Sequence, residues 1–484
     1  LEEDMTDWNG PKLIHAVRSV FPEDRAHRLS DLFSGNWPIH FADERVDWVQ
    51  NWLQTFGPLS GLNPTQQQAL ALPFRYRLSL IEGPLGTGKT HVLGWTLIAL
   101  IQHARAMGVP LRIAVSALTH QAIDQVLHKV VTLVGQHRLQ DFPGRCLKWG
   151  RFEGDSAIEG DLRVERLEQA EALGDDPIFI LGATGFGLYQ LFEGRKGTFP
   201  QVFDWVIFDE ASQVLIPQAL LSLLYGKGNV LFLGDVKQLP PVVLGNYEDD
   251  VQSSILSHLM DAYGSEHRVR LDQTYRMNED LCTFPSRTWY DGELRAVSDN
   301  AHRRLVLRAP LQDDLLDRIL DPEQPVSLVL VDHRACHQKA DLEVEIVAKL
   351  AHRLIHKYGL SADQLALISP HRAQNNATAD RLAKLLVGET LPLIDTVERV
   401  QGAERDVILF AFTTSDLDYV MSLFLNNPNR FNVAITRAKQ KLIVVGSRTF
   451  FSTVPQREEA LKANSCFKAF YEFCRERNSL HFWE

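Results

Sequence analysis

The stretch from residue 78 to residue 97 constrains the fold more than any other part of the chain. Its apolar start, LSLI, leads into GPLGTGKT at 83–90, and apolar residues at helical spacing follow. A strand, a glycine-rich loop and a helix in this order form a phosphate-binding loop, because the glycines let backbone N–H groups point at a phosphate before the helix N-terminus. In such a loop Lys89 is placed to reach the β- and γ-phosphates, and the Thr90 hydroxyl is placed to hold Mg²⁺. The sequence therefore predicts a nucleoside-triphosphate site.

Length and composition set the outer limits for the rest of the chain. Its 484 residues are 45% hydrophobic and 23% charged, which is typical of globular proteins. This length corresponds to about three average domains, or to two larger α/β units. The formal net charge of −11 does not suggest a basic coat for nucleic acid. A nucleic-acid channel needs only a local positive lining, however, so nucleic acid stays among the candidate partners.

Cysteine usage and the chain start bear on the cellular compartment. The five cysteines lie far apart and none forms a CxxC pair. This spacing argues against a disulfide framework, a zinc knuckle or an iron–sulfur site, and indicates a reducing compartment, the cytoplasm or the nucleus. No apolar run approaches the length of a membrane span, and no secretory signal opens the chain. Because the first residue is Leu, we expect an internal start in a longer protein, with room upstream for a nuclease or accessory domain.

Two further apolar runs end in polar residues suited to phosphate chemistry. VFDWVIFDEAS at 202–212 ends in Asp209 and Glu210. At the carboxyl end of a parallel strand beside the phosphate loop, Asp209 is placed to hold Mg²⁺ through water and Glu210 to polarise the attacking water. NVLFLGDVKQLPPVV at 229–243 repeats the arrangement with Gln238, which is placed to sense the γ-phosphate. Its paired prolines stiffen that loop.

Three other side chains suit the base and phosphates of a nucleotide. Gln66 lies in LNPTQQQAL at 62–70, where Asn63 and Pro64 predict a helix start. Its amide can both donate to and accept from an adenine edge, which makes it a candidate base reader. In YRMN, Tyr275 is suited to stacking on a purine and Arg276 to clamping a phosphate, although this short motif alone is weak evidence.

Polar residues also follow two more predicted strands. Thr119 and His120 come after the strand at 111–116 and open a helix, so they offer short polar groups and N–H donors. Thr184 follows the strand in IFILGATGFG at 178–187. The small residues there let another backbone approach closely, and Thr184 is placed to bind a phosphate.

From about residue 325, strands and helices alternate again, which predicts a second doubly wound parallel sheet. This run lacks a phosphate loop but carries Glu404 and Arg437 in turns. The predicted class is therefore α/β, with two tandem parallel-sheet domains. The predicted divisions are a helical N-terminal segment at 1–58, a first domain at 59–265 with a helical insertion at about 130–178, and a second domain at 266–484.

The order of the motifs across residues 60–450 resembles the superfamily 1 helicases. That order is TQ, GPLGTGKT, ALTHQAID, GAT, DEAS, GDVKQLPP, QTYRMN, TVERVQGAERD and NVAITRAKQKL. The chain is similar to the branch that contains the nonsense-mediated-decay RNA helicase and the helicase half of the lagging-strand nuclease–helicase. DEASQ, YRMN and AITRAK are closer to the second of these, which favours DNA. RNA helicase or ribonucleoprotein remodelling activity, and an ATP-driven nucleic-acid switch without unwinding, remain the alternatives.

The resemblance implies two RecA-like domains with a cleft between them, ATP and Mg²⁺ as cofactors, and 5′→3′ travel along single-stranded nucleic acid. The implied catalytic residues are Lys89, Asp209, Glu210, Gln238, Arg276 and Arg437, the two arginines acting as arginine fingers. The implied nucleotide-binding residues are Gln66, Gly83, Pro84, Gly86, Thr87, Gly88, Lys89, Thr90, Tyr275 and Glu404, with Glu404 near the ribose. The implied metal-binding residues are Thr90 and Asp209. The implied contacts to the strand backbone are Thr119, His120, Thr184, Pro370, His371 and Thr396.

Four positions depart from the pattern of this branch. Leu85 stands where a second proline is usual, Val236 where His is frequent, His120 where Asn is frequent, and Glu398 where Asp is expected. These differences bear on the details of strand contact and leave the ATP site intact.

Overall fold

The computed structural model describes most of the chain as two compact units. The described residues are 9–21, 29–37, 40–41, 44–139, 142, 144–151, 163–174, 176–194, 199–241, 253–400, 402–420, 422, 424–455 and 457–483. The first unit comprises those within Leu1–Pro84, Gly88–Val236 and Pro240–Leu271. The second comprises those within Leu85–Thr87, Lys237–Leu239 and Asp272–Glu484.

The first unit begins with helices, as the sequence predicts. They are α1 (Gly10–Val20), α2 (Ser30–Phe33), α3 (Glu44–Ser60) and α4 (Pro64–Arg75). Helix α3 runs through residue 58, where the sequence prediction ends the N-terminal segment. Helix α4 starts at the predicted cap, because the Asn63 side chain accepts a hydrogen bond from the backbone N–H of Gln66 and Pro64 occupies the first turn.

A parallel sheet of eight strands forms the centre of the first unit, counted over the described residues. Its elements are β1 (Leu78–Glu82), α5 (Lys89–Met107), β2 (Leu111–Ser116), α6 (His120–Gln136), β3 (Arg145–Lys148), β4 (Val164–Arg166), β5 (Ile178–Gly182), α7 (Gly185–Leu191), β6 (Phe203–Phe208), α8 (Ile216–Leu223), β7 (Gly226–Gly234), α9 (Ile255–Ala262) and β8 (Arg268–Arg270). The strand order is β4-β3-β5-β2-β6-β7-β1-β8. All strands run parallel, so their carboxyl ends meet at one edge of the sheet.

The prediction of a helical insertion at about 130–178 needs correction. Its described residues hold the end of α6, strands β3 and β4, and a 3-10 turn at Ala170–Leu173; residues 140–141, 143, 152–162 and 175 lie outside the described part. The charged residues that suggest a helix surface belong partly to the strands. Arg145 on β3 bonds Glu165 on β4, with 2.8 Å between Nη2 and Oε2. Cross-strand charge pairs explain this composition better than a solvated helix does.

The second unit has its own parallel sheet. Its elements are β9 (Gln273–Thr274), α10 (Glu279–Trp289), β10 (Arg295–Ala296), α11 (Ser298–Ala301), α12 (Leu315–Leu320), β11 (Val326–Val331), α13 (Asp341–His356), β12 (Leu365–Ile368), α14 (Arg372–Leu385), β13 (Leu393–Asp395), β14 (Arg405–Ala411), α15 (Leu417–Val420), α16 (Pro428–Ile435), β15 (Ala438–Ser447), α17 (Arg448–Ser452), α18 (Glu458–Glu476) and β16 (Leu480–Trp483). Six of its described strands pair in the order β13-β12-β14-β15-β11-β16. The predicted class, α/β with two parallel sheets, is confirmed.

Packing in both units follows from strands that are buried on two faces. Strand β1 is buried at every position and so is β11, which is why both read as nearly continuous apolar runs. Each sheet has one apolar cluster on either side of it. No helix in the described part of the chain has the length and apolar character needed to cross a membrane. All five cysteines are free thiols.

One lysine lies in the core of the second unit. Lys441 on β15 is 0% exposed. Its Nζ donates hydrogen bonds to Asp321 O (3.0 Å), Gln324 O (2.5 Å) and Ser327 Oγ (3.3 Å). Burial lowers the pKa of Lys441 to about 7, against the opposing charge of Asp321. The lysine is therefore held in its place by backbone oxygens while its charged form is disfavoured.

We expect Lys441 to make stability depend on pH in the alkaline range. The Lys441 pKa is 10.5 in a model peptide and about 7 in the folded chain, so between these values the unfolded state binds more protons. The free energy of unfolding therefore rises with pH across this window. Lys441→Met removes that rise. Chemical denaturation at about pH 7 and about pH 9.5 measures it.

Lys462→Met is the matched control, because its side chain is 76% exposed. It should keep the wild-type rise in stability. An equal rise in wild type and Lys441→Met would contradict the assignment.

Candidate nucleotide and nucleic-acid site

The phosphate loop joins β1 to α5 as the sequence predicts. Gly88 caps α5 with φ +80°, a left-handed conformation that favours glycine. A Cβ atom at Gly88 would lie 2.9 Å from Gln66 Nε2, so space excludes a side chain as well. Lys89, the first residue of α5, donates from Nζ to Gly83 O at 2.8 Å. The loop thus holds the Lys89 ammonium group at the N-terminus of the long helix α5. This arrangement is suited to binding a phosphate.

Gln66 lies next to this loop and is 2% exposed. Its Oε1 accepts a hydrogen bond from the backbone N–H of Asn63 at 3.0 Å, which completes a capping box at the start of α4. The residue therefore has a structural role in addition to any contact with a base.

The acidic pair follows β6, which lies in the same parallel sheet as β1. Strand β7 pairs directly with β1, and β6 pairs with the other side of β7. The two acids therefore follow the second strand from β1 in the sheet. Asp209 still feels the charge of Lys89, so the acid and the loop lysine lie close enough to interact.

Asp209 and Glu210 form a compact pair of carboxylates. Asp209 is 4% exposed, and burial together with the charge of Glu210 raises its pKa to about 7 against the opposing effects of Lys89 and the Glu210 N–H. Glu210 has a positive φ of 51°. Its Oε2 is buried without a hydrogen-bond partner within the described residues. Two close carboxylates, one with an unpartnered oxygen, fit a hard divalent cation, and the Thr90 hydroxyl at the start of α5 is a further oxygen ligand of the right type.

Gln238 and Tyr275 both belong to the second unit. Gln238 is 2% exposed. Tyr275 is 42% exposed, so its ring is accessible for stacking, and its carbonyl accepts a hydrogen bond from Asn300 Nδ2 at 2.5 Å. These two positions therefore differ sharply in their access to solvent.

The two predicted arginine fingers have different surroundings within the second unit. Arg276 Nε donates to Glu404 Oε2 at 2.7 Å, and Arg276 Nη1 donates to Thr436 O at 3.1 Å. Arg437 is 2% exposed and donates from Nε to Val433 O at 3.0 Å. Arg276 and Arg437 are thereby anchored around one turn, since Thr436 precedes Arg437 directly.

Glu404 also binds Lys439, a residue that the sequence motif did not single out. Lys439 Nζ lies 2.8 Å from Glu404 Oε1. Burial alone would raise the Glu404 pKa, but the hydrogen bond from Lys439 and the positive charge of Arg276 outweigh it, so the pKa is lowered. Lys439 follows Arg437 by two residues in AITRAKQK, so its basic type and position are the only signal that the sequence offers.

In the first unit, the predicted strand contacts lie at the carboxyl ends of neighbouring strands. Thr119 caps α6 after β2, and Thr184 caps α7 after β5; β2 pairs with β5. Thr119 Oγ1 accepts from the Ala122 N–H at 3.2 Å. His120, at the start of α6, contacts Gly150, where an added Cβ would lie 2.6 Å from His120 Cε1. The structure brings these three residues to one edge of the sheet and engages both threonines in capping.

The predicted contacts of the second unit lie after the adjacent strands β12 and β13. Pro370 precedes His371, which is 7% exposed and whose Nε2 lies 3.2 Å from Thr414 Oγ1. Burial lowers the His371 pKa to about 4, with a smaller effect from Arg430. His371 is therefore neutral at pH 7 and does not attract phosphate as a cation. Thr396 is also 7% exposed.

Comparisons with known proteins show what the chain is similar to. Two family models, each described as an AAA domain, match residues 61–164 with 190–246 and residues 251–449. The "DNA replication ATP-dependent helicase/nuclease DNA2" of Mus musculus is 26% identical over an alignment of 478 positions that covers 94% of this chain and 41% of that protein. The "DNA polymerase alpha-associated DNA helicase A" of Saccharomyces cerevisiae is 25% identical over an alignment of 494 positions that covers 87% of this chain and 69% of that protein. The Arterivirus nonstructural protein 10 helicase aligns with a TM-score of 0.37 over 79% of this chain and 61% of that chain, at 14% identity.

The two AAA matches follow each other along a chain whose two units each contain a parallel sheet. They support the assignment of the chain to the superfamily 1 helicases. Within that class, the chain resembles the helicase half of DNA2, and the resemblance predicted from the motifs is confirmed. The chain spans only part of the length of the DNA2 proteins that it matches, 41% of the mouse protein and 27% of the Schizosaccharomyces pombe protein.

Proposed function

We propose that this chain is an ATP-dependent helicase or translocase that moves 5′→3′ along single-stranded DNA. The observation that carries the proposal is that Lys89 of the phosphate loop lies in the same unit as the Asp209–Glu210 pair and interacts with Asp209. The names of the matched relatives, which are DNA helicases, support DNA over RNA. The same names support a place inside the cell, as the cysteine pattern predicts.

Each site residue has a role in this proposal that follows from its chemistry. Lys89 neutralises the β- and γ-phosphates of ATP, and Gln66 and Tyr275 bind the base. Thr90 and Asp209 hold Mg²⁺, which when bound neutralises charge that develops on the phosphates. Glu210 orients and deprotonates the attacking water.

Residues of the second unit complete the proposed chemistry. Arg276 and Arg437 stabilise charge in the transition state as arginine fingers, and Glu404 binds near the ribose. Gln238 links the γ-phosphate to the nucleic-acid contacts. Thr119, His120, Thr184, Pro370, His371 and Thr396 follow the strand backbone. Backbone contacts of this kind give little sequence preference and strong salt dependence.

Rates of ATP hydrolysis with matched strands test the substrate. We expect single-stranded DNA to stimulate hydrolysis more than RNA of the same sequence and length, and we expect the stimulation to fall steeply with salt. Strand displacement from a duplex with a 5′ overhang, compared with a 3′ overhang, tests the direction. Greater stimulation by RNA would make the chain an RNA helicase. Stimulated hydrolysis without displacement would make it an ATP-driven switch.

A further inference from the structure

An exposed aromatic ring stands out on the second unit. Phe424 is 45% exposed. The Arg430 guanidinium carbon lies 4.2 Å from the centre of its ring, and the His371 ring centre lies 5.5 Å from it. Arg430 Nη1 also donates a hydrogen bond to the Phe424 carbonyl. The ring is therefore held in place by its neighbours while almost half of the side chain stays accessible.

Phe424 lies between two loops at the carboxyl edge of the sheet. His371 belongs to the loop after β12, and Arg430 binds Glu398 in the turn after β13, with 2.9 Å between Nε and Oε1. Strands β12 and β13 are neighbours. These are the loops that carry Pro370, His371 and Thr396, so the ring occupies the path proposed for the nucleic-acid strand.

The charges in these loops favour an anionic partner. The carboxylates from Asp395 to Glu404 are all paired with cations: Glu398 with Arg430, Asp395 with Arg399 at 3.7 Å, and Glu404 with Arg276 and Lys439. Arg372, directly after His371, is exposed and forms no ion pair within the described residues. Arg372 is thus an uncompensated cation in the loop that carries His371, whose ring lies near Phe424. A cation next to an aromatic surface is the combination by which proteins hold single strands, through a phosphate and a stacked base.

We propose that Phe424 is a stacking platform for one base of the bound single strand. The inference rests on the proposed function, because it places the base on the path of the strand that the enzyme follows. It adds a contact to a base where the residues proposed so far contact only the backbone. Since every base has a π face, this contact leaves the enzyme tolerant of sequence.

Replacement of Phe424 with leucine tests the platform, because leucine keeps the apolar bulk under Arg430 and removes the π face. The readout is the Kd of the whole chain for fluorescently labelled oligothymidylate, measured by anisotropy beside an abasic strand of the same length. We expect Phe424→Leu to raise the Kd for oligothymidylate by about tenfold and to leave the Kd for the abasic strand at the wild-type value. Phe424→Trp should restore the wild-type Kd for oligothymidylate.

Phe482 offers a matched control. It is also 45% exposed, and the Arg448 guanidinium lies 4.9 Å from its ring centre, but it is on β16 at the other end of the sheet. Phe482→Leu should bind oligothymidylate like wild type. Three results would each overturn the platform: tight binding by Phe424→Leu, equal weakening on both strands, or equal weakening by Phe482→Leu. If wild type binds neither strand, the proposed function fails as well as the platform. If wild type binds both strands and one of the three results above is found, only the platform fails.

Discussion

Replacement of Lys89 with alanine is expected to lower DNA-stimulated ATP hydrolysis by about 100-fold or more. Lys89 is the first residue of α5, and its Nζ lies 2.8 Å from Gly83 O within the phosphate loop. The change removes the cation that balances charge on the β- and γ-phosphates, and no other lysine or arginine belongs to the loop itself. Steady-state phosphate release at saturating DNA measures the effect, and strand displacement should fall with it.

Arg105→Ala is the control for Lys89, because Arg105 is an exposed residue in the last turn of the same helix. It should keep the wild-type rate, and melting temperatures should confirm that both variants fold. A Lys89→Ala rate within about threefold of wild type would show that the reacting triphosphate binds elsewhere.

Replacement of Arg276 with alanine is expected to lower kcat by about 1,000-fold or more, the range reported for arginine fingers in phosphoryl transfer. The physical reason is that a guanidinium group stabilises the charge that develops as the γ-phosphate leaves. An interaction made only in the transition state lowers kcat and leaves KM nearly unchanged. Hydrolysis measured over a range of ATP concentrations separates the two parameters.

Loss of the Arg276–Glu404 ion pair could also disturb the protein, and Lys439→Ala controls for that effect. Lys439 binds the other oxygen of the same carboxylate, at 2.8 Å. Its removal disturbs Glu404 in a similar way but leaves Arg276 in place. We expect Lys439→Ala to lower kcat by less than about tenfold. Similar losses in both variants would assign the effect to Glu404 and exclude Arg276 as a finger.

Much of the fold could be predicted because the central strands are buried on both faces. Strands β1, β6, β7 and β11 read as apolar runs, and the loop glycines mark where β1 ends. Strands β3 and β4 could not be predicted in this way. They have four and three residues, too few for a period to be recognised, and their charges pair with each other across the strands.

In the candidate site, too, contacts between residues close in the sequence could be predicted, and contacts between distant residues could not. The Asn63 cap and its box with Gln66 depend on residues three apart, and this spacing is visible in the sequence. Arg276 and Glu404 are 128 residues apart, so no local pattern could pair them. Phe424 lies in the apolar run LFL, so its local sequence does not mark it as exposed. Its exposure depends on how α16 and the loops after β12 and β13 meet.

The double pairing of Glu404 has a consequence for how an arginine could leave it. A carboxylate that loses its only cation becomes an unpaired charge. That unpaired charge adds to the free energy needed to remove the cation. Lys439 stays behind on Glu404, so Arg276 would leave an anion that is still neutralised. If Arg276 is the arginine finger that we propose, its guanidinium would move from this carboxylate to a phosphate and exchange one anionic acceptor for another in each turnover.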